Sequence, residues 1–461
     1  MNVASALEPY RETKDSGVAW LGKIPVGWEI RRNGRLFAQR NETGYPNLPI
    51  LEVSLRTGVR VRDFNASSRK QVMNDRAKYK RAARGDIAYN MMRMWQGAVG
   101  VVPTDGLVSP AYVVARPQPE TVPRFFAYLY RTDSYMGEVD NYSRGIVKDR
   151  NRLYWEQFKQ IPTPYPSPSE QETIVRFLDH VDRRIRRYIR AKQKLIKLLE
   201  EQQQAIIRRA VTRGLDPNVR IKPSGVEWLG DVPEHWEVSR VKTEFACLNH
   251  RRVPLSGTER GTMTLRRYDY YGASGVIDKV DEYLFDDDLL LIAEDGANLV
   301  LRNLPVAIIT RGRFWVNNHA HILKPKRGSL EYLAAAMELI NYQPWISGAA
   351  QPKLTQDRLM GIAIAVAPIE EQRRIVSHVE IETEPLRATI GRARCEIDLL
   401  REYRTRLIAD VVTGKLDVRE AAARLPDEID ELESIDESDV LADAEDATSD
   451  DRDAVPEEAE A

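Results

Sequence analysis

Apolar residues recur at alternating steps of four and three along Ile174, Leu178, Val181, Ile185, Tyr188, Lys192, Leu195, Leu199, Gln202 and Ile206, and eight of these ten are hydrophobic. That spacing keeps one stripe of a helix apolar and makes a coiled-coil seam. Ser169 followed by Glu172 fits a capping box at its start, and Gly214 followed by Pro217 supplies a stop. At ~1.5 Å per residue, some 43 residues extend roughly 64 Å, which is a spacer and not a core element. A second seam runs through Leu386, Ile390, Ala393, Ile397, Leu400 and Leu407. Pro385 has no N–H for the helical ladder, which predicts a kink or a late start there. A helix with a single apolar stripe needs a partner, and two such helices in one chain are expected to pack antiparallel.

Outside the seams the pattern changes from helical to strand-like. GDIAYNMM (85–92), AYVVARP (111–117), DLLLIAE (288–294) and HAHILKP (319–325) are short, rich in Val, Ile, Leu or Tyr, and mostly bounded by Gly or Pro. They predict a twisted sheet in each of two globular units of mixed α and β structure.

The units are copies of one another. SGVAWLGKIPVGWEIRR at Ser16 to Arg32 returns as SGVEWLGDVPEHWEVSR at Ser224 to Arg240, with ten of seventeen residues identical at a shift of 208. At a shift of 201, EQETIV from Glu170 returns as EQRRIV from Glu371, Leu153 pairs with Leu354, and Ile161 pairs with Ile362. The order is therefore unit, long helix, unit, long helix. The repeated Trp20, Trp28, Trp228 and Trp236 sit in a proline-containing element and are expected to anchor packing more than to contact a ligand.

Charge is uneven along the chain. Residues 425–461 hold 17 Asp/Glu and one basic residue, Arg452, while the first 424 residues carry a net charge of +15. The body is thus basic, which favours a polyanion partner. The acidic segment after Asp417 is poor in aromatics and is expected to be a disordered tail. No run of about 18 apolar residues is present to span a bilayer, and residues 1–17 have no secretory apolar core, so a cytoplasmic protein is expected. Cys247 and Cys395, the two cysteines, make neither a disulfide framework nor a zinc knuckle.

The paired WLG...P..W motifs, the paired EQ..IV helix starts, and the VTRGLD and VTGKLD helix ends resemble those of type I restriction-modification specificity subunits, over nearly the whole chain up to about Glu420. YGASGVI (271–277), FWVNNHAHIL (314–323) and GAAQPKLTQDRL (348–359) are similar to a recurring target-recognition domain of that family. The resemblance implies an α+β fold with two pseudo-two-fold-related target-recognition domains, separated by two long helices that form an antiparallel coiled coil. It places the first recognition domain at 1–160, the first spacer helix at 161–217, the second domain at 218–367, the second helix at 368–416 and the tail at 417–461. It further implies that each domain reads half of a split double-stranded DNA site, in defence against foreign DNA. Two methyltransferase subunits and two motor-nuclease subunits would be partners, and S-adenosylmethionine, ATP and Mg would be used by those partners and not by this chain. The acidic tail and Pro385 depart from the family's usual pattern.

Catalytic machinery is hard to find. There is no amino-methyltransferase motif, and Thr413-Gly414-Lys415-Leu416 lacks the upstream glycine and the hydroxyl of a phosphate-binding loop. His319 and His321 lack an evident third metal ligand. Asp286, Asp287 and Asp288, with Glu294 and Asp295, fit a turn before a strand more simply than a magnesium nuclease site. A chain with no active site of its own is expected.

For DNA readout, forked or amide side chains must reach base edges with Lys or Arg on phosphates. In the first unit Asn90, Arg93 and Gln96 follow a predicted strand, and Ser143, Arg144, Lys148 and Arg150 form a basic loop before the helix. In the second, Tyr271 and Ser274, then Asn317, Asn318 and His319, then Gln351 and Lys353 occupy comparable places. The Asn pair is equally suited to capping a turn. A coiled-coil scaffold that touches no nucleic acid is the alternative, and a self-contained metal nuclease a further one.

Overall fold

The protein is described by a computed structural model covering residues 7–55, 57–62, 76–145, 151–348 and 352–426. It divides into two compact units, Met1–Arg187 with Leu399–Ala461, and Tyr188–Asp398. The boundary between the units falls within each long helix.

The first unit is built on a four-stranded antiparallel sheet in the order Phe37–Arg40, Tyr112–Pro117, Ile87–Asn90, Val99–Val101. The second contains Phe245–Cys247, Ala320–Pro325, Leu289–Ala293 and Ala307–Thr310 in the same order and sense. Register is copied as well as order. Gln39 faces Ala115 and Cys247 faces Leu323, both shifted by 208. The four runs predicted as strands are the two central strands of these sheets. Leu289–Ala293 is buried throughout, and Ile87, Ala88 and Tyr89 are inaccessible, so both faces are covered and the strands read as continuous apolar runs.

The tryptophan motif is duplicated in structure too. A small antiparallel pair, Thr13–Asp15 with Lys23–Pro25, leads to Trp28; Ile221–Pro223 with Asp231–Pro233 leads to Trp236. Both indoles are buried, in accord with a packing role. The next strand pairs far along the chain, Glu29–Arg32 with Pro162–Tyr165 and Glu237–Arg240 with Ala363–Val366. The second unit adds a sheet of Gly275–Val280, Tyr268–Gly272, Arg313–Val316 and Phe285–Asp286 that no periodicity announced.

The long helices span Pro168–Arg213 and Ile369–Val412. In the first unit, Ile174, Phe177 and Leu178 near the start of one share a core with Leu407, Val411 and Val412 near the end of the other, and Asp182 accepts a hydrogen bond from Arg404. In the second unit, Lys192 pairs with Glu396 at 2.6 Å and Glu200 with Arg394 at 2.8 Å. Residue numbers rise on one helix as they fall on the other, so the pairing is antiparallel.

Details of the helices differ from the sequence reading. Pro168 occupies the first turn, and the Ser167 hydroxyl, two residues before the expected cap, accepts from the Glu170 N–H at 3.4 Å. The second helix begins at Ile369 and runs through Pro385, so the late start does not occur. Along the first helix Tyr188, Leu195 and Gln202 are exposed, while Ile189, Ile196 and Gln203 are half-buried in their place. A straight helix advances 3.6 residues per turn against the seam's 3.5, and the buried stripe has drifted by one residue.

Residues 427–461, the bulk of the expected disordered tail, lie outside the described residues. Its first ten belong to the first unit: the Asp417 N–H donates to the Glu8 carbonyl at 2.8 Å, and Val418 and Ala422, beside and within the short helix Arg419–Ala423, are core residues. Among the described residues no helix is long and apolar enough to cross a membrane.

Candidate nucleic-acid interface

In each unit the C-terminal end of the central strand meets two loops from distant parts of the chain. In the first unit the Met91 N–H donates to the Ala111 carbonyl at 3.3 Å and the Leu153 N–H donates to the Met91 carbonyl at 2.8 Å. In the second, Glu294 N–H donates to His319 at 2.9 Å and Leu354 N–H donates to Glu294 at 2.8 Å. The same backbone knot is tied twice.

The knot of the second unit is strongly polar. Glu294, almost fully buried, accepts from Arg252 and lies 3.3 Å from the Lys353 ammonium. Arg252 also donates to the carbonyls of Asn318 at 3.1 Å and Ala320 at 3.0 Å. Burial by itself would raise the Glu294 carboxyl, but hydrogen bonding from Arg252 and the neighbouring positive charges hold it below the ordinary range. His321 is buried, with Nε2 2.7 Å from the Leu354 carbonyl and Nδ1 2.8 Å from the Asn249 amide. The first contact requires Nε2–H, so Nδ1 accepts. Burial depresses the imidazole against the opposing effect of Glu294, which favours the neutral ring. His319 reaches Asp295 at 2.8 Å.

The candidates of this unit converge here. His319, Asn318 and Lys353 surround Glu294 and Asp295, and Tyr271 joins through its carbonyl, which accepts the Asn317 N–H at 3.0 Å. Asn318 and Lys353 are exposed, as is Ser274 at the neighbouring hairpin turn. Asn317 is buried, and its side-chain oxygen accepts the His319 N–H at 2.8 Å, the turn-capping alternative. Gln351 lies outside the described residues.

In the first unit Asn90 accepts the Met92 N–H at 2.9 Å and the Arg93 guanidinium donates to Gln96 at 2.9 Å, giving a half-buried fork and amide side by side. Arg144 and Arg152 exchange two backbone hydrogen bonds of 3.0 Å beneath exposed side chains. The Ser143 hydroxyl is directed back to the Val139 carbonyl at 2.7 Å, closing a helix end. Lys148 and Arg150 lie outside the described residues.

Sequence reasoning missed Asn249, Arg252 and His321 as one cluster with Glu294, because loops some seventy residues apart carry no common pattern. It also missed Arg152, although the shift that pairs Leu153 with Leu354 pairs Arg152 with Lys353. The acidic residues weighed as metal ligands are ion-paired: Asp286 with Arg313 at 2.9 Å, Asp287 with Lys324, and Asp288 with Arg311 at 2.8 Å.

A duplicated recognition scaffold agrees with the comparison to known proteins. The family model of the type I restriction modification DNA specificity domain matches residues 28–198 and again 233–381. The chain belongs to this family. It is 31% identical over 138 residues to a Haemophilus influenzae protein named as a type I restriction enzyme specificity subunit, a match spanning 30% of this chain and 34% of that relative. A chain from a structural study of complex assembly and conformational transition of the type I R-M system shares the fold at a TM-score of 0.62 and 15% identity, over 85% of this chain and 99% of the other. The HsdS subunit from Thermoanaerobacter tengcongensis aligns with a TM-score of 0.43 at 17% identity, over 85% of this chain and 98% of its own.

Proposed function

We propose that this chain reads a bipartite double-stranded DNA site, one half-site per unit, and acts by positioning catalytic partners while carrying no active site itself. The observation that carries the reading is the twofold occurrence of one sheet, in one register, with forked and basic side chains on the loops at the same strand end. Arg93, Gln96, Arg144 and Arg152 serve one half-site; Asn318, His319 and Lys353 serve the other. The basic body supplies phosphate contacts, the antiparallel helices set the unread spacer, and two methyltransferase and two motor-nuclease subunits dock on the chain in the cytoplasm.

Filter binding of the chain with its methyltransferase subunits tests this. Binding to duplex that weakens steeply with salt is expected, because each neutralised phosphate releases counterions. A scaffold that ignores nucleic acid gives no binding at any salt. Magnesium-dependent cleavage by the purified chain alone contradicts the non-catalytic role.

A further inference from the structure

The connection leaving the central strand differs in kind between the units. Between the last paired residues it runs Asn90–Ala98 in the first unit and Ala293–Val306, five residues longer, in the second. Where the first unit offers Arg93 and Gln96, the second offers a helical turn, Asn298–Leu301, and its continuation, with Val300 41%, Leu301 63% and Leu304 50% exposed.

This apolar surface is firmly braced. Leu299 is buried in the core beneath it. The Asn298 side chain accepts the Leu304 N–H at 2.9 Å and donates to the Leu304 carbonyl at 3.0 Å. Arg302, with φ of 52°, donates to the Ile340 carbonyl at 2.6 Å, and Glu338 accepts the N–H groups of Val306 and Ala307 at 2.9 and 2.7 Å. Exposed aliphatic side chains held in place in this way offer an apolar contact face. It is continuous with the candidate interface, since the connection carries Glu294 and Asp295 near its start, and the Gly296 N–H donates to the Pro352 carbonyl at 3.2 Å, beside Lys353.

Resting on the DNA-reading role of that strand end, we propose that Val300, Leu301 and Leu304 contact thymine C5-methyl groups in the major groove, so that the second unit reads its half-site partly by apolar contact where the first reads by hydrogen bonds. Aliphatic side chains have no donor or acceptor for a base edge, and the thymine methyl is the apolar mark a major groove presents.

The test uses the full chain with its methyltransferase subunits and duplexes carrying the recognised site, with deoxyuridine replacing every thymidine in one half-site and then in the other. Uracil keeps the pairing and loses the methyl. Binding weakens by about fourfold per contacted methyl when the second unit's half-site is substituted, and the triple variant Val300→Ala, Leu301→Ala, Leu304→Ala abolishes that sensitivity while the wild-type response to the other half-site persists. Indifference of both half-sites to uracil, a half-site lacking thymine in both strands, or unchanged sensitivity in the variant overturns the proposal, as does a variant that binds DNA normally but no longer retains its methyltransferase subunits. Failure of the unsubstituted complex to bind its site at all refutes the DNA-reading role itself.

Discussion

The side-chain oxygen of Gln171 accepts the backbone N–H of Val122 at 2.9 Å while its amide donates to the Pro166 carbonyl at 2.9 Å, and Gln372 does the same for Ser329 and Ala367 at 2.9 and 2.8 Å. Both glutamines are buried. The repeated EQ pair is thus explained: its glutamine fastens the start of a long helix to the loop entering a helix of the globular unit. Leucine at either position leaves a buried donor and acceptor unpaired, at about 2–3 kcal/mol. Denaturant titration of Gln171→Leu and Gln372→Leu is expected to show comparable losses; a loss below ~0.5 kcal/mol contradicts this role.

Gly414 and Gly214 end the two long helices with φ of 77° and 73°. A Cβ on Gly414 runs into Pro25 Cδ and lies 3.1 Å from the Trp28 ring, whereas on Gly214 its nearest neighbour is the Glu371 carboxylate at 3.0 Å. Left-handed backbone alone costs alanine about 1 kcal/mol, and the rigid proline adds roughly 1–3 kcal/mol of overpacking. Gly414→Ala is therefore predicted to lower the unfolding midpoint clearly more than Gly214→Ala, and equal effects contradict the docking of this helix end on Trp28.

Acid is expected to loosen the second unit's candidate interface before its remaining structure. The unfolded His321 takes up a proton below about pH 6.5, while the buried ring is held neutral to lower pH. Its contribution is full above that value and declines as pH falls toward the depressed folded value. Glu294, also depressed, adds a second decline at lower pH, as its carboxylate protonates. Hydrogen exchange at the Ile322 and Leu354 amides should accelerate, relative to intrinsic rates, between pH 7.5 and 5.5. In His321→Phe the pH dependence over that interval should shrink; an unaltered dependence contradicts the assignment.

Much of this was legible in the sequence, for reasons that differ by element. The central strands showed because strands buried on both faces are apolar throughout, whereas edge strands such as Val99–Val101 are too short to announce themselves. The second long helix declared its seam correctly at Ile390, Ala393 and Ile397, all buried. The first declared a strict heptad at Tyr188 and Leu195 that a straight helix cannot keep. In the candidate interface, Arg93 and Gln96 stood out as side chains following a predicted strand, and His319 and Lys353 by residue type alone. The ion pair of Arg252 with Glu294 was not, since it exists only once the sheet brings separate loops to one strand end.

The proposed ruler role of the helices has its own test. Lengthening both by one heptad adds about 10.5 Å, close to three base pairs of duplex at ~3.4 Å each. The unread spacer is predicted to change while both half-sites stay as they were. Altered half-sites with an unaltered spacer contradict it.

The central claim, that each unit reads its own half-site, is tested most directly by mapping methylated bases genome-wide in cells carrying the complete system with wild-type chain, with Arg93→Ala and Gln96→Ala, or with His319→Ala and Lys353→Ala. The first pair is predicted to relax one half-site and the second pair the other, with the unread spacer unchanged in both. Relaxation of the same half-site by both pairs, or a methylation pattern that neither pair alters, contradicts it.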